Sequence, residues 1–350
     1  MTRLRRADCS RPGIIRRRRG RGFEYLYAGT DERVADPESL ARIRALVIPP
    51  AWKDVWICPF PNGHIQAVGT DAAGRKQYLY HERWRLRRDQ EKFDRMLDFA
   101  RKLPVMRRVA HEHLAFDGMP RERALACAAR LLDLGFFRIG TESYAEQNKT
   151  YGIATMQKRH VKLNGAVVTF DYTAKSGLRR VQSIVDPDVF EVVTLLKRRR
   201  GGSPDLLAYK SGRTWVDVKS VDINEYLKDV MQGDFSAKDF RTWNATVLAA
   251  VAMSISGGAA SSMTARKRAI ARAVQEVAHY LGNTPAVCRS SYIDPRVFDR
   301  YRSGWTISGA LEAIGEDASY GEPSVQGPIE EAVIDLIEER RDSDAVEKIA

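Results

Sequence analysis

Residues 23–27, Phe-Glu-Tyr-Leu-Tyr, alternate with the aromatics on one side, the period of a half-buried strand. Asp36-Pro37-Glu38 opens a short helix, because proline suits the first helical turn, and Pro49-Pro50 closes it. Strands follow at 55–58, 64–68 and 76–80, separated by turns at Pro61-Asn62-Gly63 and at 71–74. The pattern predicts a small antiparallel sheet with one or two helices. Residues 1–22 are basic and read as a flexible arm or a twisted edge strand. From Trp84 the period changes: Phe93, Met96, Leu97, Ala100 and Leu103 recur at helical spacing. Most of 84–310 then reads as helix. One interruption is predicted, with strands at 160–163 and 167–172 joined by Asn164-Gly165, residue types suited to the two φ > 0 positions of a type I′ turn. A third strand, 178–184, follows a turn at 173–177. Residues 315–328 read as a Gly/Pro/Ser-rich linker and 328–341 as an acidic amphipathic helix. The fold class is therefore α+β: a small antiparallel β-sheet domain, then a larger, mainly helical one carrying a three-stranded β-hairpin unit.

Composition narrows the function. No apolar run reaches the ~18 residues of a membrane helix, and the Arg-rich N-terminus has no apolar segment of signal-peptide type behind it. Cys9, Cys58, Cys127 and Cys288 are scattered, which argues against a disulfide framework or a zinc site and fits a reducing cytosol. The 57 Lys+Arg exceed the 45 Asp+Glu by 12. Residues 1–22 carry +8 and residues 311–350 carry −9, so the body between them carries +13, the whole-chain charge less its two ends. A basic body points to a polyanion, most simply nucleic acid; an evenly solvated surface charge is the competing reading. No carboxylate cluster with metal-ligand spacing, HExxH or GxxxxGK[ST] is visible. Phosphoryl transfer without a metal would need cations on the non-bridging oxygens, a nucleophile, and an acid for the leaving alkoxide.

Such residues stand at punctuated positions. Gly135 ends a helix begun near Pro120, and Arg138 follows in Phe136-Phe137-Arg138-Ile139-Gly140, as a functional arginine or half of a salt bridge. Lys175 sits at a hairpin tip, able to swing an ammonium into a groove or to lie in solvent as an ordinary turn lysine. Ser236-Ala237-Lys238-Asp239 is a capping box, which places Arg241 near the positive end of a helix, for phosphate or simply on the surface. Leu281-Gly282-Asn283-Thr284-Pro285 stops one helix and starts another, with Thr284 as cap and Pro285 in the first turn. Tyr292 lies late on that short helix, as a nucleophile or as a buried tyrosine with a satisfied hydroxyl.

Taken in order, Arg138, Lys175 in a hairpin, Lys238-Asp239-Phe240-Arg241, Asn283 and Tyr292 resemble the type IB DNA topoisomerases and their relatives, the tyrosine recombinases. The nine residues from Asn283 to Tyr292 match that family's spacing. Ser290-Ser291-Tyr292-Ile293-Asp294-Pro295 resembles its active-site tyrosine motif. Ile48-Pro49-Pro50-Ala51-Trp52, Val55-Trp56-Ile57, Gly63-His64-Ile65-Gln66 and the segment 71–78 resemble the N-terminal domain of the bacterial, poxvirus-like branch, which the recombinases lack. The likeness spans roughly residues 12–304. Poxviral and nuclear members carry His where this chain has Asn283; some bacterial members carry Asn. An amide donates a hydrogen bond but is not a cation.

The resemblance implies residues 1–83 as a β-rich DNA-clamping domain, 84–90 as a hinge, 91–310 as the catalytic domain and 311–350 as an acidic linker and helix outside the family pattern. It implies an ATP- and metal-independent isomerase, without cofactor. Tyr292 would cut one strand of duplex DNA as a 3′-phosphotyrosine, Arg138, Arg241 and Asn283 would bind the phosphate, and Lys175 would protonate the departing 5′-oxygen. Arg75, Lys76, Gln77, Tyr78, Tyr80 and Lys238 are the expected DNA contacts, although Gln77 faces opposite to Tyr78 and Tyr80 on a strand, and the two tyrosines could instead be sheet core. The partner is double-stranded DNA, clamped by a monomer, with no membrane and a cytoplasmic, nucleoid-associated location. The alternatives are a site-specific recombinase and a non-catalytic DNA-binding protein with a decayed site. A DNA-mimicking role for 311–350 would make its deletion raise DNA affinity.

Overall fold

The computed structural model describes residues 3–30, 32–256, 262–317 and 326–349. Residues 318–325, most of the expected linker, lie outside the described residues. The chain forms two compact units, Met1–Asp94 and Arg95–Ala350.

The first unit contains β1 (Ile14–Arg19), β2 (Gly22–Tyr27), α1 (Pro37–Ala45), β3 (Lys53–Ile57), β4 (Ile65–Thr70) and β5 (Lys76–Tyr80). The strands form one antiparallel sheet in the order β2-β1-β3-β4-β5. Ile14, Val34, Ile43, Val55, Ile57 and Ala67 make its buried core, closed by partly buried Tyr25, Trp52 and Leu79. The arginine run is not a free arm: β1 pairs with β2 along its whole length but with β3 only at Ile14 and Ile15, so Arg16–Arg19 keep one open side, as an edge does. Arg16 explains how a basic strand sits there. Its guanidinium donates to the carbonyls of Ile48 (3.2 Å), Pro49 (3.1 Å) and Trp52 (2.7 Å) and lies over the Phe23 ring. Asp36 caps α1 by accepting from the Ser39 N–H at 2.7 Å. The helix ends at Ala45, before Pro49, and the chain turns at Val47 with φ 47°.

α2 (Glu82–Leu114) begins in this unit and continues into the next. The expected hinge 84–90 lies within its first turns, where the Trp84 ring packs edge-on against His64, 4.8 Å between centroids. The two compact units divide after Asp94.

The second unit continues with α3 (Arg121–Leu134), α4 (Glu142–Asn148), β6 (Val161–Asn164), β7 (Val167–Thr173), β8 (Arg179–Val185), α5 (Pro187–Arg198), β9 (Ala208–Ser211), β10 (Thr214–Asp217) and α6 (Ser220–Met231). It then runs through α7 (Ala237–Ile255), α8 (Met263–Leu281), α9 (Pro285–Ser291), α10 (Pro295–Arg302), β11 (Trp305–Thr306), α11 (Ser308–Asp317), α12 (Pro328–Glu338) and β12 (Glu347–Lys348). The three-stranded sheet β6-β7-β8 is the predicted one, but its first turn is shifted by a residue. Asn164 pairs with Val167, so the loop is Gly165-Ala166, and Gly165 is at φ 57°. That is the glycine-first pattern of a II′ hairpin rather than I′. The hairpin β9–β10 was not predicted. Its strands are four residues each and mix Tyr, Trp and Val with Lys, Ser and Asp, too short to show a period.

α3 and α7 are buried almost all round and form the centre of this unit. α12 completes it. Ile329, Ala332, Val333, Leu336 and Ile337 are buried, and Glu330 accepts from Arg107 (2.5 and 2.9 Å) and from the Trp243 indole N–H (2.7 Å). Arg107 also holds Asp133 by a two-bonded fork, 2.9 and 2.8 Å. β12 pairs with β11, fixing the end of the described chain. The acidic segment is thus part of the helical domain rather than an appendage, because its carboxylate neutralises a buried arginine. Removing one partner of a buried ion network leaves the others desolvated and uncompensated, so Glu330→Ala is expected to lower stability by about 3 kcal/mol, read from the urea midpoint. Deleting 311–350 should unfold this unit rather than raise its DNA affinity.

Candidate active site

Arg138 enters the site on an extended segment that follows Gly135, the cap residue of α3. Phe137 is fully buried against Phe170 and Tyr172 of β7. Two glycines lock the far side. Gly140, at φ 72°, and Gly152 touch backbone to backbone, and a Cβ on Gly152 would lie 2.5 Å from the Arg138 carbonyl. That carbonyl accepts from the Ile153 N–H at 2.8 Å. Arg138 is therefore held by packing on one side and backbone pairing on the other.

Arg241 projects from the first turn of α7, whose Ser236 N–H and hydroxyl donate to Asp239 at 2.8 and 3.0 Å. The capping box is as the sequence predicts, but Arg241 is not on the surface: it is 4% exposed. It donates to the carbonyls of Phe136 (2.5 Å) and Leu281 (2.9 Å). Burial, then the neighbouring Arg138 charge, pushes its pKa down to about 10, and it remains a cation at neutral pH. Its Nε has no hydrogen-bond partner among the described residues.

Asn283 follows Gly282, the left-handed residue (φ 62°) that ends α8. Arg138 donates to the Asn283 Oδ1 and, at 3.3 Å, to the Gly282 carbonyl. The Asn283 Nδ2 is buried and without a hydrogen-bond partner among the described residues. Thr284 and Pro285 start α9 as expected, Thr284 accepting from the Val287 N–H.

Tyr292 is the residue after α9 and is half-buried. The Asp294 N–H donates to the Thr246 hydroxyl at 3.1 Å, which ties the tyrosine segment to α7, the helix that carries Arg241. The Arg241 guanidinium lies 5.3 Å from the Tyr292 ring centroid. Burial raises the phenol pKa, but charge and hydrogen bonding from Arg241 and Arg138 more than reverse this, so it sits below the ordinary tyrosine value. Tyr172, close by but donating to Gln182 at 2.9 Å, is pushed the other way by burial, to about 12. Of these two phenols, only Tyr292 lies below the ordinary tyrosine value.

Lys175 opens the turn between β7 and β8, with Ser176 and Gly177 at φ 67° and 73°. It is exposed, and it lines one groove with Arg138, Arg241, Tyr172, Arg180 and Gly282. The sequence did not single out Arg180. It follows another arginine on a strand, and nothing local distinguishes the two. Among the described residues, no group of three or more His, Cys, Asp or Glu is placed to hold a metal ion. No helix of the described residues is long and apolar enough to cross a membrane.

Residues 81–309 match the family model of the eukaryotic DNA topoisomerase I catalytic core. The DNA topoisomerase 1B of Acanthamoeba polyphaga mimivirus is 32% identical over 298 residues, 83% of this chain and 88% of the viral one. The chain belongs to the type IB DNA topoisomerases. Residues 22–71 match the bacterial topoisomerase IB N-terminal domain, so both units carry a family signature. The DNA topoisomerase 1B of vaccinia virus (strain Copenhagen) is 21% identical over 235 residues, 66% of this chain and 71% of its own.

In the topoisomerase N-terminal unit, β5 sorts the expected DNA contacts by strand alternation. Lys76, Tyr78 and Tyr80 are exposed on one face, with the tyrosine rings stacked 6.0 Å apart. They are not sheet core. Gln77 is on the opposite face and donates to Asp71 at 2.9 Å. Arg75 also donates to Asp71, and this pairing first of all holds the carboxyl down at about 2. Lys238 is exposed on the first turn of α7.

Proposed function

We propose that this chain relaxes supercoiled duplex DNA, of either sign and without ATP or metal, by reversible attack of Tyr292 on a backbone phosphate. The observation that carries the reading is the acidified Tyr292 phenol against Arg241 and Arg138, in a site whose groove is also bordered by Lys175. The phenolic oxygen bonds to phosphorus and its proton leaves to solvent. The bond to the 5′-oxygen breaks, and that oxygen takes a proton from Lys175, which regains one from solvent. A 3′-phosphotyrosine and a free 5′-hydroxyl result, with no net proton change. The broken strand rotates about the intact one, and the reverse reaction reseals it.

Arg138 and Arg241 face the non-bridging oxygens. Asn283 adds a neutral donor: with its Oδ1 engaged by Arg138, the buried Nδ2 is the atom left to offer. Each preorganised donor is worth about 3 kcal/mol in the transition state, and a placed general acid roughly 10²–10⁴ in rate. Lys76, Tyr78, Tyr80 and Lys238 contact the duplex from exposed positions, Arg75 reaches a phosphate from its Asp71 pair, and Gln77 braces the strand through Asp71. The active species is a monomer that clamps the duplex between its two units.

Relaxation of negatively and positively supercoiled plasmid is expected in EDTA without nucleotide, with a first-order dependence on enzyme concentration. A recombinase would leave plasmid lacking its paired sites supercoiled, and a binding protein with a decayed site would shift the plasmid without trapping a covalent adduct in detergent. Either result overturns the proposal.

A further inference from the structure

The carbonyls at the end of α8 are shared out among three arginines. Arg180 of β8 donates to His279 (2.7 Å) and to Tyr280, Arg241 to Leu281 (2.9 Å), and Arg138 to Gly282 (3.3 Å). A helix C-terminus carries partial negative charge and unpaired carbonyls, so it gathers cations. Two of these three arginines are the proposed phosphate ligands. The third comes from the strand that leaves the Lys175 turn.

Arg180 is tightly linked to that turn. It pairs with Tyr172 across β7–β8, one step beyond the Thr173–Arg179 pair. The turn closes on itself through the Ala174 N–H to the Leu178 carbonyl at 2.7 Å and the Gly177 N–H to the Ala174 carbonyl at 3.1 Å. β8 is an edge strand, and Leu178, Val181 and Val185 are all more than half exposed, so little apolar packing holds that edge. Arg180 lies along Gly282, where a Cβ would meet its side chain at 3.5 Å. Its neighbour Arg179 turns away and forks onto Asp171 at 2.8 and 2.7 Å.

We infer that Arg180 is a positioning residue for DNA cleavage: by docking β8 on the end of α8, it registers the Lys175 turn against the Arg138–Arg241 pair. The inference rests on the reading of Lys175 as the acid. It implies that losing Arg180 costs proton delivery to the leaving oxygen rather than phosphate binding.

Sulfur at the scissile 5′ position separates the two. A thiol has a pKa of about 8.5, so a thiolate departs without a proton. Single-turnover cleavage is measured on duplex oligonucleotides with a 5′-bridging oxygen or a 5′-bridging sulfur, for wild type, Arg180→Ala, Arg179→Ala and Lys175→Ala. A misplaced reacting group loses roughly 10–100-fold. Arg180→Ala is expected to lose that much on oxygen and to return to the wild-type rate on sulfur, as Lys175→Ala should; Arg179→Ala should be unchanged on both. Equal losses on both substrates, or no loss on either, overturn the inference while leaving Lys175 as the acid if its own variant is rescued. Failure of sulfur to rescue Lys175→Ala overturns the acid assignment and the inference with it. Arg180→Gln, which keeps an amide donor, carries the same comparison if the alanine variant does not fold.

Discussion

Tyr292→Phe abolishes relaxation while leaving DNA binding intact. The substitution deletes one oxygen from a half-buried ring whose place is set by the backbone tie from Asp294 to Thr246 and by the packing of Arg241 over the ring face. Neither depends on the hydroxyl, so the fold and the arginine pair should persist. The missing oxygen is the proposed attacking atom, and Tyr172, the phenol beside the two arginines, is committed to Gln182 with its pKa raised to about 12. The expected result is no relaxed plasmid and no detergent-trapped adduct at any enzyme concentration, beside an unchanged gel shift. An adduct formed by the phenylalanine variant would place the nucleophile elsewhere.

Arg241→Ala is expected to reduce single-turnover cleavage roughly 10²–10³-fold, the usual loss for one preorganised donor to a developing oxyanion. Its effect on pH dependence is more specific. In the wild type the Tyr292 phenol lies below its ordinary value of about 10 because nearby guanidinium charge outweighs burial. If Tyr292 attacks as the phenolate, as proposed, the cleavage rate should be high above the phenol's pKa and fall as pH drops through it. Removing Arg241 takes away the stronger of the two charge interactions and leaves the burial. The midpoint of the rate profile should therefore move to higher pH. Arg241→Lys should recover little, because a lysine cannot reproduce the fork that reaches both the Phe136 and Leu281 carbonyls. A large rate loss with an unmoved midpoint would mean that Arg241 serves the phosphate alone.

The parts of this site that were legible in the sequence are the ones marked by local backbone chemistry. Gly135 closing a helix, the Ser236–Asp239 box, and Gly282-Asn283-Thr284-Pro285 between two helices each depend on residues within a few positions of one another. The structure has all three where they were expected. Burial was not legible. Arg241 reads as a phosphate ligand or a surface residue at a helix start, and only contacts 105 and 40 positions away show that it is enclosed. The same holds for Arg16, whose guanidinium reaches carbonyls 32 to 36 positions later. Arg180 was hidden for a related reason: a pair of adjacent arginines gives no hint that one turns to Asp171 and the other to a helix 99 residues away. The acidic segment misled through composition. Its mean charge suggested an appendage, whereas one carboxylate, Glu330, is buried on Arg107.

That last contact sets an order of events during synthesis. The N-terminal unit is compact within Met1–Asp94, and domains generally fold as units as they emerge from the ribosome. The unit that cuts DNA cannot do the same. Its proposed nucleophile and both proposed phosphate-binding arginines are made well before Pro328, yet the helix bearing Arg241 still lacks the indole partner of Trp243 and one wall of its core until α12 has been translated. A half-made chain therefore holds its N-terminal unit before the core of the cutting unit is closed.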